Sequence, residues 1–190
     1  GEILDNLRGE YHALFDEATA PLRKTGVMSE ANELQVIKLL RGDDPAKYSN
    51  DVQQVALDLR VLLNRVFDDA IDAGLIKPDR KLEDYFPRSW NRRAIQENRD
   101  IFEELLVSEK IVKDRTKAAE LTDEMLNKNN ELFSSHSILL TQARAFKDLN
   151  ENVFEDFLTN DLNTLMNYYM NAANTIQHKK SFLLEGFSRK

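Results

Sequence analysis

The chain has 190 residues, of which 42% are hydrophobic and 31% charged, with a formal net charge of -7 and no cysteine. That length fits one domain or two small ones with a real core, and the composition excludes an intrinsically disordered tail. The absence of cysteine removes disulfides, thiolate nucleophiles, iron–sulfur clusters and cysteine zinc sites. No apolar run approaches the roughly 18–20 residues of a membrane span, so no span is expected in this segment.

From the N-terminus, helical sequence is already running at Gly1 and continues to Ala20, where Pro21 stops or kinks it. No signal-peptide pattern precedes it, and the chain reads as a segment of a longer protein. Ser29, with Glu33 nearby, starts a short helix through Leu40, stopped by the turn Arg41-Gly42-Asp43-Asp44-Pro45. From Asp51 to Ala73 the apolar residues Val52, Val55, Ala56, Leu59, Leu62, Leu63, Val66, Phe67, Ala70 and Ile71 fall on one broad face. Asn50 or Asp51 is expected to cap this helix and Gly74 to end it, giving a rod of about 35 Å. Such a rod is long against a radius of gyration of about 16 Å for a domain of this size.

Residues 77–90 then break the helical pattern with two prolines, basic residues and three aromatics that include the only tryptophan. Pro87 holds Phe86 extended, so Tyr85 and Trp90 can turn to helix faces on either side. Two readings stand for Tyr85, Phe86, Pro87, Arg88 and Trp90. One is an aromatic plug that fixes how the long helix packs; the other is a partner-binding hot spot, for which Trp, Tyr and Arg are favoured.

Further on, Asn91 to about Lys110 carries Ile95, Ile101, Phe102, Leu105 and Leu106 on one face, and Asp114–Asn127 does so with Ala118, Leu121 and Met125. The last helix begins near Asn160 or Asp161, carries Leu162, Leu165, Met166, Tyr169, Ala172, Ala173 and Ile176, and runs towards Gly186. No period-two run and no Asn-Gly or Asp-Gly hairpin turn is present. The fold class is therefore all-α: a multi-helix bundle with long helices and an irregular aromatic connector. It is expected as a single helical domain over 1–190, with two lobes, 1–76 and 91–190, as the alternative division.

Catalytic and cofactor patterns are missing from the sequence. The glycines at 1, 9, 26, 42, 74 and 186 lack the spacing of two or five that phosphate cradles need, which excludes the usual nucleotide motifs. His12, His136 and His178 form no HExxH or Glu-x-x-His pair, and Ser134-Ser135-His136-Ser137 has no nucleophile elbow. Neighbouring carboxylates such as Glu103 and Glu104 diverge by about 100° on a helix, so they do not share a site by themselves. No enzyme activity, cofactor or metal is expected. The acidic balance argues against specific nucleic-acid binding. Residues 179–190 are locally basic, with Lys179, Lys180, Arg189 and Lys190 against Glu185, which reads as a solvated helix end, with a phosphate-binding tail as the alternative.

A long helix ending in Ala73-Gly74-Leu75-Ile76, then a spacer and Asp84-Tyr85-Phe86-Pro87-Arg88-Ser89-Trp90, resembles a segment of very large proteins of tailed bacteriophages, including internal virion and DNA-ejection proteins. Ala143-Arg144-Ala145-Phe146-Lys147-Asp148-Leu149, followed by Phe157-Leu158, Asp161, Leu165 and Tyr168-Tyr169, resembles its downstream part, so the likeness spans roughly 50–185. It implies a non-catalytic module packaged inside the capsid, self-associating or packing on other core or portal proteins. Arg144 and Phe146 join the connector residues as candidate contact residues. The transglycosylase domain that some such proteins carry has no counterpart here, as no Glu-Ser dipeptide occurs. A helical protein-binding or regulatory domain of a cytoplasmic cellular protein is the alternative reading.

Overall fold

A computed structural model of the chain describes residues 2–24, 26–78, 90–127 and 149–188. The fold is all-α. Among the described residues the only extended pairing is an isolated antiparallel bridge between Trp90 and Leu158. Eight α-helices are described: α1 (Glu2–Thr19), α2 (Glu30–Leu40), α3 (Asn50–Asp72), α4 (Arg92–Glu97), α5 (Arg99–Ser108), α6 (Arg115–Asn127), α7 (Glu151–Phe154) and α8 (Leu162–Ser188).

Two compact units divide the chain: Gly1–Phe86 with Asn160–Lys190, and Pro87–Thr159. The division differs from the consecutive lobes read from the sequence, because α8 belongs with α1–α3. The buried positions of α8, namely Leu162, Met166, Ala172, Ala173 and Ile176, recur at helical spacing, and α8 packs against α1 and α3. A helix this apolar on one side needs a long partner face, which α1 and α3 offer.

In the first unit, α3 buries Val52, Val55, Leu59, Leu62, Leu63, Val66 and Ala70. Ser49, rather than Asn50 or Asp51, caps it, its hydroxyl accepting from the Val52 N–H at 3.3 Å. Ser29 caps α2 in the same way through Asn32 N–H at 3.1 Å. Both helices end in the same six-residue closure. After α2, Asp43 N–H reaches Lys38 O and Gly42 sits at φ +103°; after α3, Leu75 N–H reaches Ala70 O and Gly74 sits at φ +76°. The left-handed turn satisfies carbonyls that the helix leaves unpaired, and glycine adopts it without a Cβ clash.

The returning chain is fastened to α2. Arg41 Nη1 donates to Asn160 Oδ1 at 3.1 Å, and the Glu33 carboxylate accepts the Leu162 N–H at the start of α8. Asp161 caps α8 itself, accepting from Asn163 and Thr164 N–H at 2.9 and 3.3 Å.

In the second unit the helix expected over 91–110 is two helices, α4 and α5, meeting at Asn98. Asn98 has φ -129° and ψ 41°, and its side-chain amide donates to Ala94 O at 3.3 Å. The side chain thus takes up a carbonyl at the helix end and lets the chain turn while the apolar spacing continues. Asp114 caps α6 through Lys117 N–H at 2.9 Å. The core gathers Ile95, Phe102, Leu106, Ala118, Met125, Leu149, Phe154, Phe157 and Leu158.

Candidate functional site

Trp90 enters the second unit at the edge of its core. It is half-buried, and its ring meets Phe102 and Phe154 edge-on, with centroids 5.6 and 5.9 Å apart. Phe102 also meets Phe154 edge-on at 6.0 Å and lies tilted against Phe157 at 5.1 Å. Edge-to-face placement sets the positive rim of one ring on the negative face of another, worth about 0.5–1.5 kcal/mol per pair beyond burial. Next to Trp90, Asn91 N–H donates to Phe157 O at 2.8 Å, and Asn91 Oδ1 caps α4 through Ala94 N–H. Within this unit Trp90 therefore packs as part of a structural aromatic knot. Tyr85, Phe86, Pro87, Arg88, Arg144 and Phe146 lie outside the described residues.

Among the described residues of the second unit, one carboxylate is buried. Glu103 receives Arg99 Nε at 2.8 Å and Arg115 Nη2 at 3.2 Å, and is only 6% exposed. Arg99 also donates to Asp123 Oδ1 at 2.7 Å and Ala119 O at 3.2 Å, so the clamp ties α5 to α6. Its two acidic partners, Glu103 first, hold the Arg99 guanidinium above its ordinary pKa. All of Glu103's described polar contacts are cationic, which makes the group an inter-helix clamp; a general acid or base would need a free face.

In the first unit, Tyr11 is fully buried on α1 and donates its hydroxyl to Asp69 Oδ2 at 2.6 Å. Burial, and then the Asp69 carboxylate, push the phenol well above its ordinary pKa. Arg65 lies over the Tyr11 ring, 5.8 Å from its centroid, and pairs with both Glu10 and Asp69. In the turn after α2, the Tyr48 hydroxyl, the Asp44 N–H and Lys47 hold Asp43 down to about 2, and Tyr48 rises to about 12. Glu33 is raised, first by burial and then by Asp161 and Glu30. These groups are spread over separate joints of the unit. Among the described residues no cluster of three metal-ligating side chains occurs, and no helix is long and apolar enough to cross a membrane.

Unburied apolar surface is the remaining feature. An open groove of about 330 Å³ runs between α1 and α3, lined by Leu14, Glu17, Ala18, Asp58, Val61, Leu62 and Arg65. On its α3 side Val61 is 68% exposed, and Leu57, one turn earlier, is also exposed. At the end of α8, Phe182 and Leu184 are each 70% exposed and Leu183 is exposed beside them. Ile176 is the last residue of α8 buried among those described.

None of these residues was a sequence candidate, yet a signal existed: Leu57 and Val61 fall off the apolar stripe of α3. Phe182, Leu183 and Leu184 are consecutive, and consecutive residues point about 100° apart, so one face cannot bury all three.

Comparison with family models, with curated proteins and with solved structures finds no match to this chain.

Proposed function

We propose that this chain is a non-catalytic assembly module of a bacteriophage internal virion, or ejection, protein, packing through helix faces in a portal-associated or ejected assembly. The observation that carries the reading is the apolar surface left on the first unit, above all Phe182, Leu183 and Leu184 on α8. Contiguous apolar patches on soluble proteins mark interaction sites more often than idle surface. These three large apolar side chains, exposed beyond Ile176, add little to the core of their own unit. The phage setting rests on the resemblance of Asp84–Trp90 and Ala143–Tyr169, and its expected location is the capsid interior.

Sedimentation velocity of the chain over a concentration series tests the assembly function. Concentration-dependent oligomers, cyclic in negative-stain images, are the expected result. A chain that stays monomeric at the highest concentration reached overturns it. For the setting, mass spectrometry of purified phage particles should find peptides of this sequence inside the protease-resistant head; their absence there overturns the virion location.

A further inference from the structure

We propose that the end of α8 from one copy seats in the α1/α3 groove of a second copy, joining copies head to tail. The inference rests on the assembly function above and names the contact that makes it.

The two surfaces are complementary in chemistry. From Leu162 to His178, α8 contains no charged residue, and its charge is gathered at the end, where Lys179 and Lys180 precede the exposed Phe182, Leu183 and Leu184. Residues 179–190 hold four basic side chains and one acidic one. The groove has the opposite character. Leu14 and Val61 give it apolar walls, Glu17 and Asp58 an acidic rim. Its one cation, Arg65, is already engaged by Glu10 and Asp69. Across α1 and α3 there are ten acidic and three basic side chains. An apolar helix end flanked by lysines fits such a groove as an amphipathic helix fits an apolar cleft, with the charges setting orientation.

Both surfaces belong to the same unit, and both are open to solvent, so the helix end does not fill the groove of its own chain. A second copy supplies what each lacks. Donor and acceptor patches differ, so the contact is heterologous and repeats from copy to copy, closing into a ring where the rotation allows. An anionic membrane would also attract lysines beside apolar residues. The acidic body, at -7 overall, opposes that approach and favours the protein groove.

The test uses the full chain and two variants altered at exposed positions, each checked for an unchanged melting curve. One, Phe182→Ser with Leu184→Ser, keeps the groove and loses the helix end; the other, Val61→Glu, does the reverse. Each alone is expected to associate about a hundredfold more weakly than the parent, consistent with removing two large buried side chains or placing a charge in the contact. Mixed together, they retain one good donor and one good acceptor and are expected to give a heterodimer and nothing larger. Lys179→Glu with Lys180→Glu should weaken association about tenfold, and a partner carrying Glu17→Lys with Asp58→Lys should restore it. If the parent associates and the helix-end variant associates equally well, this contact is overturned while the assembly function stands. A strictly monomeric parent overturns both. Binding of the parent to phosphatidylserine vesicles that is lost in the helix-end variant, with no self-association, assigns the helix end to a lipid surface and overturns the groove.

Discussion

The two units reach a packed core by different routes. The first builds its interior from long helices and aliphatic side chains: α3 alone buries eight residues over 23 positions. Among its described residues the second has helices of four to thirteen residues, each offering one or two turns of apolar face, and it concentrates burial in Phe102, Phe154 and Phe157 with Trp90 at the rim. Short helices gain little from propagation, so large side chains and a charged clamp take over the role that length plays in the first unit. Length distributes the cost of any one loss, whereas a knot concentrates it.

The sharpest way to break this comparison is at Phe102, which touches all three other rings. Phe102→Ala should cost about 3–5 kcal/mol. Urea unfolding followed by tryptophan fluorescence, which reports Trp90 alone, should then separate from unfolding followed by helical circular dichroism. Coincident transitions would mean that the units melt as one and that the contrast has no energetic content.

In the first unit the corresponding polar joint is Tyr11. Tyr11→Phe removes the hydroxyl from Asp69 but leaves Arg65 on that carboxylate, so a loss of about 1 kcal/mol is expected. The sign of its pH dependence follows from the raised phenol. Above about pH 10 the unfolded chain gives up the Tyr11 proton while the folded chain keeps it. Stability therefore falls with rising pH there, and the fall should be smaller in Tyr11→Phe, as alkaline denaturation measures.

Smaller again is the end of α5. Ile111 N–H reaches Leu106 O and Lys110 N–H reaches Val107 O, the same closure that follows α2 and α3, but the left-handed residue is Lys110 at φ 59°. Lys110→Gly should raise the stability of the second unit by about 0.5–1 kcal/mol, by thermal melt, with no change in the first. The least effect is expected at the half-buried Asp43. Its folded value of about 2 lies below the unfolded value near 3.9, so its contribution is present above pH 4 and fades as pH falls towards 2. Carboxyl NMR titration of Asp43, with and without Tyr48→Phe, measures it.

What the sequence disclosed follows the same division. The helices α1, α2, α3 and α8 are legible because their apolar spacing is long and their ends carry serine, aspartate, glycine or proline. The break at Asn98 is not, since Ile95, Phe102 and Leu106 keep helical spacing across it. Glu103 reads as one of many solvated carboxylates, because its partners lie four residues before and twelve after, and only folding brings Arg115 onto it. Trp90 announces itself by type and context, but its contact with Phe154 joins residues 64 positions apart, which no local pattern encodes. The exposed end of α8 is legible in composition and illegible in role, because periodicity cannot tell a helix where its neighbours stop.

The insertion of one unit inside the other has a consequence for birth on the ribosome. Residues 87–159 are contiguous, so they can condense as soon as they emerge. The first unit has to wait with α1–α3 exposed on the side that α8 covers, until the chain beyond residue 162 is released. Contacts between α1 and α8 close one of the longest loops available within these 190 residues, and late-closing contacts of this kind slow folding. Within these 190 residues, the helices made first are thus the last to be completed.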